Sequence, residues 1–322
     1  MTSWVKYGNM GGPRHLGERD GKKFAHEYVD HSSTGPWGKI LGVIAASEGR
    51  YDTVVMYDGT GVTFGAFQWT FTSGRLQKFL TYLQSVQSME FEQAKQDVVL
   101  TDHGNLFDIF MDGDGDRQVF EDFGFYINGG QFWSSGKVLN PRNPKQKKRI
   151  VQICMGDSRR HAMALCNIFA DAGRDIGIQF AQNEYAKLEL KQALIVNRPP
   201  LKSVGGKIWC LLPQETWNGP IPAIFFNLYQ NLPGGSFKLF KRIMKKAEEK
   251  DLVSFCPNNG YGNVKSTDDL LDLVWRELCQ TQIADWGFKS RKYLQNNKNT
   301  PRVTRIRPAI LKYYGLKLPY IK

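Results

Sequence analysis

No stretch of about 18 consecutive apolar residues occurs in the chain, so no membrane span is expected. The opening Met1-Thr2-Ser3-Trp4-Val5-Lys6 lacks the apolar core of a secretion signal. Cysteine is scarce: Cys154, Cys166, Cys210, Cys256 and Cys279 are odd in number, widely spaced and never in a CxxC pair. That excludes a disulfide framework or a zinc ribbon and predicts reduced, buried thiols. Histidine is equally rare, and His103, in Thr-Asp-His-Gly, has no partner at ligand spacing, so it reads as structural. The acidic run Asp112 to Asp116 has the look of a calcium loop. An EF-hand, however, needs Gly at its sixth position and Glu at its twelfth, where this chain has Arg117 and Phe123. It reads as an acidic surface turn. No metal and no organic cofactor are expected.

What remains is ordinary for a globular protein: 41% hydrophobic and 23% charged residues over 322 positions. That is enough chain for one large domain or two small ones. One stretch, Trp37 to Trp69, organises the reading. Trp37, Ile40, Leu41, Ile44 and Glu48 recur at helical spacing, which sets Glu48 on the apolar side at the helix C-terminal end. A carboxyl there meets low-dielectric surroundings and the negative end of the helix dipole, and both favour the protonated acid. Gly49 ends the helix by taking left-handed dihedrals cheaply. Asp58-Gly-Thr-Gly-Val-Thr-Phe-Gly65 then has the glycine spacing of a tight turn or short hairpin. It returns a second carboxylate, Asp58, toward the helix end, with Asp52 as a rival nearer in sequence. Two carboxyls, one in a dry setting and one on a polar turn, suit glycoside hydrolysis.

Ser47-Glu48-Gly49 followed by Gly65-Ala66-Phe67-Gln68-Trp69 resembles the core of the lysozyme-like superfamily, in which a helix-terminal Glu precedes a G-x-x-Q segment lining the sugar cleft. The intervening Asp58-Gly-Thr-Gly-Val-Thr-Phe-Gly65 resembles the D-G-x-G-Y-T-x-G loop of the chitosanase branch, with Val62 where that branch has an aromatic. The resemblance covers roughly a tenth of the chain. It implies Glu48 as general acid, Asp58 as general base, and Thr63, Gly65, Gln68 and Trp69 in substrate binding. The fold it implies is mainly α, lysozyme-like, with two helical lobes and a small β hairpin beside the catalytic helix.

A net charge of +12 weighs on the substrate, because a basic protein is drawn to anionic partners and repelled by a cationic polymer such as chitosan. The expectation is therefore a muramidase or endolysin cutting bacterial peptidoglycan strands, of bacteriophage type. It would sit in the host cytoplasm before lysis or be carried in a virion among other virion proteins. A lytic transglycosylase using Glu48 alone, a chitosanase and a non-catalytic virion protein stand as alternatives. Basic runs at Lys145 to Arg149 and Lys238 to Lys250 read first as solvated helix faces. The tail, with Arg302, Arg305, Arg307, Lys312, Tyr313 and Tyr314, suits an anionic polymer. No nucleic-acid motif accompanies it, and nucleic acid is not the expected partner.

Residues 1–35, rich in Gly, His and charge, read as an irregular N-terminal arm that Ser33 or Thr34 closes as a helix cap. The catalytic domain spans 36–322, with a sub-boundary near 197–222, where Pro-Pro, Gly-Gly and Trp-Asn-Gly-Pro punctuate the chain. Helical spacing predicts segments over 75–87 and 91–100. It also predicts two or more over 147–195, broken near Gly156-Asp157 and Gly173 to Gly177. Residues 124–144 read as a long loop or small hairpin. The stripe Phe180, Tyr185, Leu188, Leu190, Ala193 and Leu194 is expected to be buried. Three further helices follow 222, the last capped at Thr267-Asp268-Asp269.

Overall fold

The structure is a computed structural model and describes residues 2–7, 10–16, 36–57, 59–93, 133–134, 137–140, 143–155, 158–196, 209–230, 233–280 and 301–319. Mostly helical, it has nine α-helices among the described residues: α1 (Pro36–Glu48), α2 (Arg75–Gln93), α3 (Pro144–Met155), α4 (Arg159–Ala172), α5 (Ile176–Leu194), α6 (Pro220–Tyr229), α7 (Pro233–Glu249), α8 (Thr267–Cys279) and α9 (Pro301–Tyr314). The short strands are β1 (Ser3–Tyr7), β2 (Met10–His15), β3 (Val54–Val55), β4 (Thr63–Phe64), β5 (Trp69–Thr70), β6 (Trp133–Ser134), β7 (Lys137–Val138), β8 (Ile195–Val196), β9 (Trp209–Cys210), β10 (Ser254–Cys256) and β11 (Gly260–Gly262). Two compact units divide the chain: Met1–Tyr28 with Glu48–Tyr185, and Val29–Ser47 with Ala186–Lys322. The division falls inside α1 and inside α5, whereas the sequence punctuation placed a sub-boundary at 197–222. Turn residues mark where a chain bends; they do not report which core a continuous helix supplies.

The first unit is built on an antiparallel meander, β1-β2-β3-β4-β5. Its register pairs Arg14 with Val55, Val54 with Phe64, and Phe64 with Trp69. Strands β1 and β2 correct the expectation of an irregular arm over residues 3–15. Gly-rich β2 has little strand propensity of its own. It is ordered by pairing with β3 some forty positions away and by the Met56 amide donating to the Pro13 carbonyl at 3.1 Å. Residues 17–35, including the expected Ser33 or Thr34 cap, lie outside the described residues.

Against this sheet pack α2 and α4. Leu76, Phe79, Leu80 and Leu83 recur at helical spacing on α2 and are all buried. Trp69 is 0% exposed and stacks on Phe79 at 4.3 Å and 15°. Tyr185 closes edge-on against Trp69 at 5.4 Å, and Phe64 meets Phe169 of α4 at 5.2 Å. These offset and edge contacts add to what area burial alone contributes. Helix α3 ends at Met155 and α4 begins at Arg159, with the Gly156-Asp157 break itself outside the described residues, while α4 ends at Ala172 and α5 begins at Ile176, where the spacing predicted a break. β6 and β7 form a small hairpin within 124–144. The predicted segment over 91–100 beyond Gln93, His103 and the acidic run at 112–116 lie outside the described residues.

In the second unit α1 is buried along Ile40, Leu41, Val43 and Ile44, and the Asn227 side-chain amide donates to the Val43 carbonyl at 3.0 Å. Helix α6, entered through Pro220 at its N-terminus where a missing N–H costs nothing, is buried from Pro220 to Leu228. Its Phe225 meets Phe240 at 4.9 Å and Phe237 at 5.6 Å, both edge-on. The α8 cap is Ser266, one residue earlier than expected: its hydroxyl accepts from the Asp269 amide at 3.2 Å. The charges of Asp268 and Asp269 then complement the dipole from the first turn. On α5, Tyr185, Leu190 and Ala193 are buried as expected, but Leu188 is 43% exposed. Four short strands order as β10-β11-β9-β8. No helix among the described residues is long and apolar enough to cross a membrane.

All five cysteines are free thiols, and burial pushes Cys154 and Cys166 from 9.0 up to about 12. In the native protein at mildly alkaline pH, iodoacetamide should modify exposed Cys256 first and leave Cys154 and Cys166 untouched until unfolding, as read by mass spectrometry. The folded thiols keep protons that the unfolded chain has already lost above 9.0. Urea midpoints should therefore fall as pH rises from 9.0 toward about 12.

Candidate active site

Glu48 is the last residue of α1 and is half-buried. Gly49 follows with φ +154°, a value rare for residues with side chains, and a Cβ there would meet the Thr53 hydroxyl at 2.8 Å. Glycine is thus required both for the backbone angle and for the space. A closed turn follows: the Thr53 amide donates to the Arg50 carbonyl at 3.1 Å, and the Arg50 amide donates to the Thr53 hydroxyl at 2.8 Å. Thr53 then passes its carbonyl to the Gly65 amide at 2.8 Å, which ties the turn to the β4–β5 connection.

That connection carries the second half of the motif. Gly65 has φ +81°, and Gln68 has φ +50°. A left-handed glutamine is uncommon and costs on the order of 1–2 kcal/mol relative to ordinary dihedrals. It is held by two bonds to one acceptor: the Gln68 amide at 3.1 Å and its side-chain Nε2 at 2.9 Å both donate to the Gly65 carbonyl. Strained residues of this kind gather at working sites, held by the surrounding structure.

A residue that sequence reasoning missed joins the two halves. Gln182 on α5 is 0% exposed; its Nε2 donates to the Tyr51 carbonyl at 3.0 Å, and its Oε1 accepts from the Ala66 amide at 3.0 Å. Next to it, Asn183 Oδ1 accepts from the Tyr51 hydroxyl at 2.8 Å. Nothing in the sequence singles out this Gln-Asn pair, because a polar residue inside a helical stretch reads as a solvated position.

The remaining expected residues are placed as follows. Asp52 is 6% exposed and bound: its Oδ2 meets His15 Nε2 at 3.1 Å and Arg174 Nε at 3.8 Å. His15 is itself 1% exposed, with its Nδ1 3.3 Å from the Thr2 hydroxyl. An aspartate held this way anchors the turn after Glu48 to strand β2. Thr63 is 5% exposed, in a hydroxyl chain that runs from Thr60 (2.9 Å) to Thr70 (3.3 Å). Trp69 is wholly within the aromatic core, so its ring packs Phe79 and offers no face to a ligand. Gly65 lies against Gln182, whose Oε1 a Cβ would meet closer than van der Waals contact permits. Gln68 is half-buried. Asp58 lies outside the described residues, while Gly59 and Gly61 beside it take φ +74° and +76°, as a tight turn requires. The structure therefore brings Glu48, Asp52, Gly65 and Gln68 into one bonded framework, in which Glu48 adjoins the turn by sequence. Among the described residues no three His, Cys, Asp or Glu side chains gather as metal ligands.

Comparison with protein-family models, curated proteins and solved structures finds no match to this chain.

Replacing Gln182 by Leu keeps the volume but leaves the Tyr51 carbonyl and the Ala66 amide buried without their partner. Stability should drop by about 2–4 kcal/mol in urea denaturation. A loss below about 0.5 kcal/mol would show that the bridge contributes little to the framework.

Proposed function

We propose that the chain is a lysozyme-like glycosidase of muramidase type that cuts bacterial peptidoglycan, with Glu48 as its proton donor. The observation that carries this reading is the path of the backbone. A helix ends on a carboxyl, turns through Arg50 to Thr53, and enters an antiparallel sheet whose β4–β5 turn holds Gln68 in a left-handed conformation. One buried amide, Gln182, holds both ends of that path. Proton donation demands a carboxyl fixed to within a fraction of an ångström of the glycosidic oxygen, and a half-buried residue on such a frame meets that demand.

In the proposed reaction Glu48 protonates the leaving oxygen while an oxocarbenium-like state develops at the sugar. Asp58, on the glycine-flanked turn, activates a water on the opposite face, and the anomeric centre inverts where the carboxyls stand about 6.5–9.5 Å apart. Gln68 and the backbone around Gly65 are the polar contacts proposed for the sugar. No cofactor enters the scheme. The +12 charge favours an anionic wall over a cationic chitosan.

A second reading draws on Asp52. Of the carboxylates between Glu48 and Trp69, Asp52 is engaged with His15 and Arg174, so a one-carboxyl mechanism needs only Glu48. That is a lytic transglycosylase, in which the substrate's own hydroxyl attacks. An inactive virion protein with the same frame is the third possibility the test addresses.

Zymograms and turbidity assays on bacterial walls decide. Glu48→Gln should lose at least about a hundredfold in lysis, and undiminished lysis would remove Glu48 from the reaction. Asp52→Asn, which keeps an acceptor for His15, should stay within about tenfold of the parent, because Asp52 is assigned to the frame. Asp58→Asn should abolish hydrolysis. Reducing ends in the product identify a hydrolase, and anhydro-muramyl ends identify the transglycosylase. A wild-type chain inert on every wall tested leaves the virion role.

A further inference from the structure

We propose that the outward face of α3, with the first turn of α4, binds a phosphodiester-linked anionic polymer of the bacterial wall. The partner's identity rests on the wall-cutting reading above; the binding face itself does not.

Helix α3 buries Ile150 and Cys154 at 0% exposure. On its solvent side Lys145, Lys148 and Arg149 stand three and four positions apart and therefore share a face, with Lys147 exposed beside them. Arg159 and Arg160, both exposed, open α4, which packs on α3. Among the described residues no acidic side chain pairs with Lys145, Lys147, Lys148, Arg149 or Arg160. Arg159 lies over the Trp4 ring at 5.1 Å.

The placement runs against the helix's own electrostatics. The first turn of α3 carries no acid, and its amides already give the positive end of the dipole. Asn143 Oδ1 accepts from the Lys145 and Gln146 amides at 3.0 and 3.3 Å, which satisfies the hydrogen bonds without adding negative charge. Lysines there repel both the dipole and each other. An external polyanion removes that repulsion and gains the release of its counterions. On helix α7 the basic residues lie beyond the first turn and acids accompany them: Lys246 and Arg242 meet Glu277 at 2.7 and 3.9 Å, and Glu248 and Glu249 follow, while Lys238, Lys241 and Lys245 are exposed.

Chemistry narrows the occupant. None of the described exposed large hydrophobic residues lies on α3 or at the start of α4, and the half-buried Trp4 ring beside them is covered by Arg159, so little aromatic face is offered to a base. Among the exposed amides at this corner, Asn143 is turned to the Lys145 and Gln146 amides of the helix it precedes, and Gln152 stands on α3 among the cations. Lysines and arginines spaced along one helix face suit a chain of spaced phosphates, the anionic polymer that a wall-cutting chain meets around its substrate.

The test uses the full chain with Glu48→Gln, so that binding is measured without turnover. The probes are polyglycerol phosphate and a duplex DNA of equal phosphate number, titrated between about 50 and 300 mM salt. The parent should bind the polymer more tightly than the duplex. K145Q/K148Q/R149Q should weaken polymer binding by at least about tenfold and flatten the salt slope by roughly two to three. K238Q/K241Q/K245Q on α7 changes the net charge equally and should stay within about twofold of the parent. Cooperative urea unfolding of both triple variants serves as the fold control. With Glu48 restored, the α3 variant should lyse polymer-stripped peptidoglycan like wild type. Equal losses in the two triple variants would make net charge the cause and overturn the site, as would no loss in the α3 variant. Duplex DNA bound as tightly as the polymer would overturn the partner. Failure of wild-type lysis bears on the glycosidase reading alone.

Discussion

The Gln182 side chain, with no accessible surface, spans the gap between the Tyr51 carbonyl and the Ala66 amide at 3.0 Å on each side. Each of those backbone groups lies where water does not reach, so each needs a partner from within the protein. An amide suits the role because it donates at one end and accepts at the other. Glutamate would face the Tyr51 carbonyl with a second acceptor, and an apolar residue would leave both groups unmet. The turn after Glu48 and the turn before Gln68 thereby become one rigid body, fixed to α5.

That bridge depends in turn on apolar packing. Trp69 follows Gln68 directly, and its stacking on Phe79 with Tyr185 at its edge fixes the end of the strained turn. Tyr185 and Gln182 sit three positions apart on α5, so the same helix supplies the ring that clamps Trp69 and the amide that clamps Ala66. A second anchor is a buried polar pair: His15 Nε2 and Asp52 Oδ2, 3.1 Å apart, join β2 to the turn after Glu48. Buried pairs seldom stabilise more than an apolar substitute would, but they tolerate few alternative geometries. Asp52 therefore contributes orientation more than net stability.

Much of this was legible in the sequence because it was local. Leu76, Phe79, Leu80 and Leu83 declare their helix by spacing, and Gly49 declares a helix stop. The breaks around Gly156 and Gly173 follow from the same rules. What stayed hidden was non-local. Strand β2 is short and Gly-rich, and it owes its order on one side to β3, far along the chain. The division inside α1 and α5 leaves no compositional trace, since a helix reads alike whichever core it feeds. In the candidate site, the helix end at Glu48 and the glycine-spaced turn before Gly65 were readable from the sequence, while the left-handed Gln68 and the roles of Gln182, Asn183 and His15 were not. Trp69 read as a cleft residue on the strength of its neighbours, yet its ring lies at the centre of the core.

The strain at Gln68 links these levels. A glycine or asparagine would adopt φ +50° more readily. Glutamine is held there because Nε2 reaches the Gly65 carbonyl that its own amide also contacts. The two hydrogen bonds to one oxygen offset part of the backbone cost and use one of the two Nε2 hydrogens, leaving the other and Oε1 as its remaining polar groups. Gly65 must in turn be glycine, because any Cβ there would run into the Gln182 amide. The two residues of the G-x-x-Q segment thus constrain each other through one carbonyl and through Gln182. Altering either one disturbs the turn that follows Glu48. The spacing within the motif is a consequence of that closed circuit of hydrogen bonds, whatever role Glu48 has.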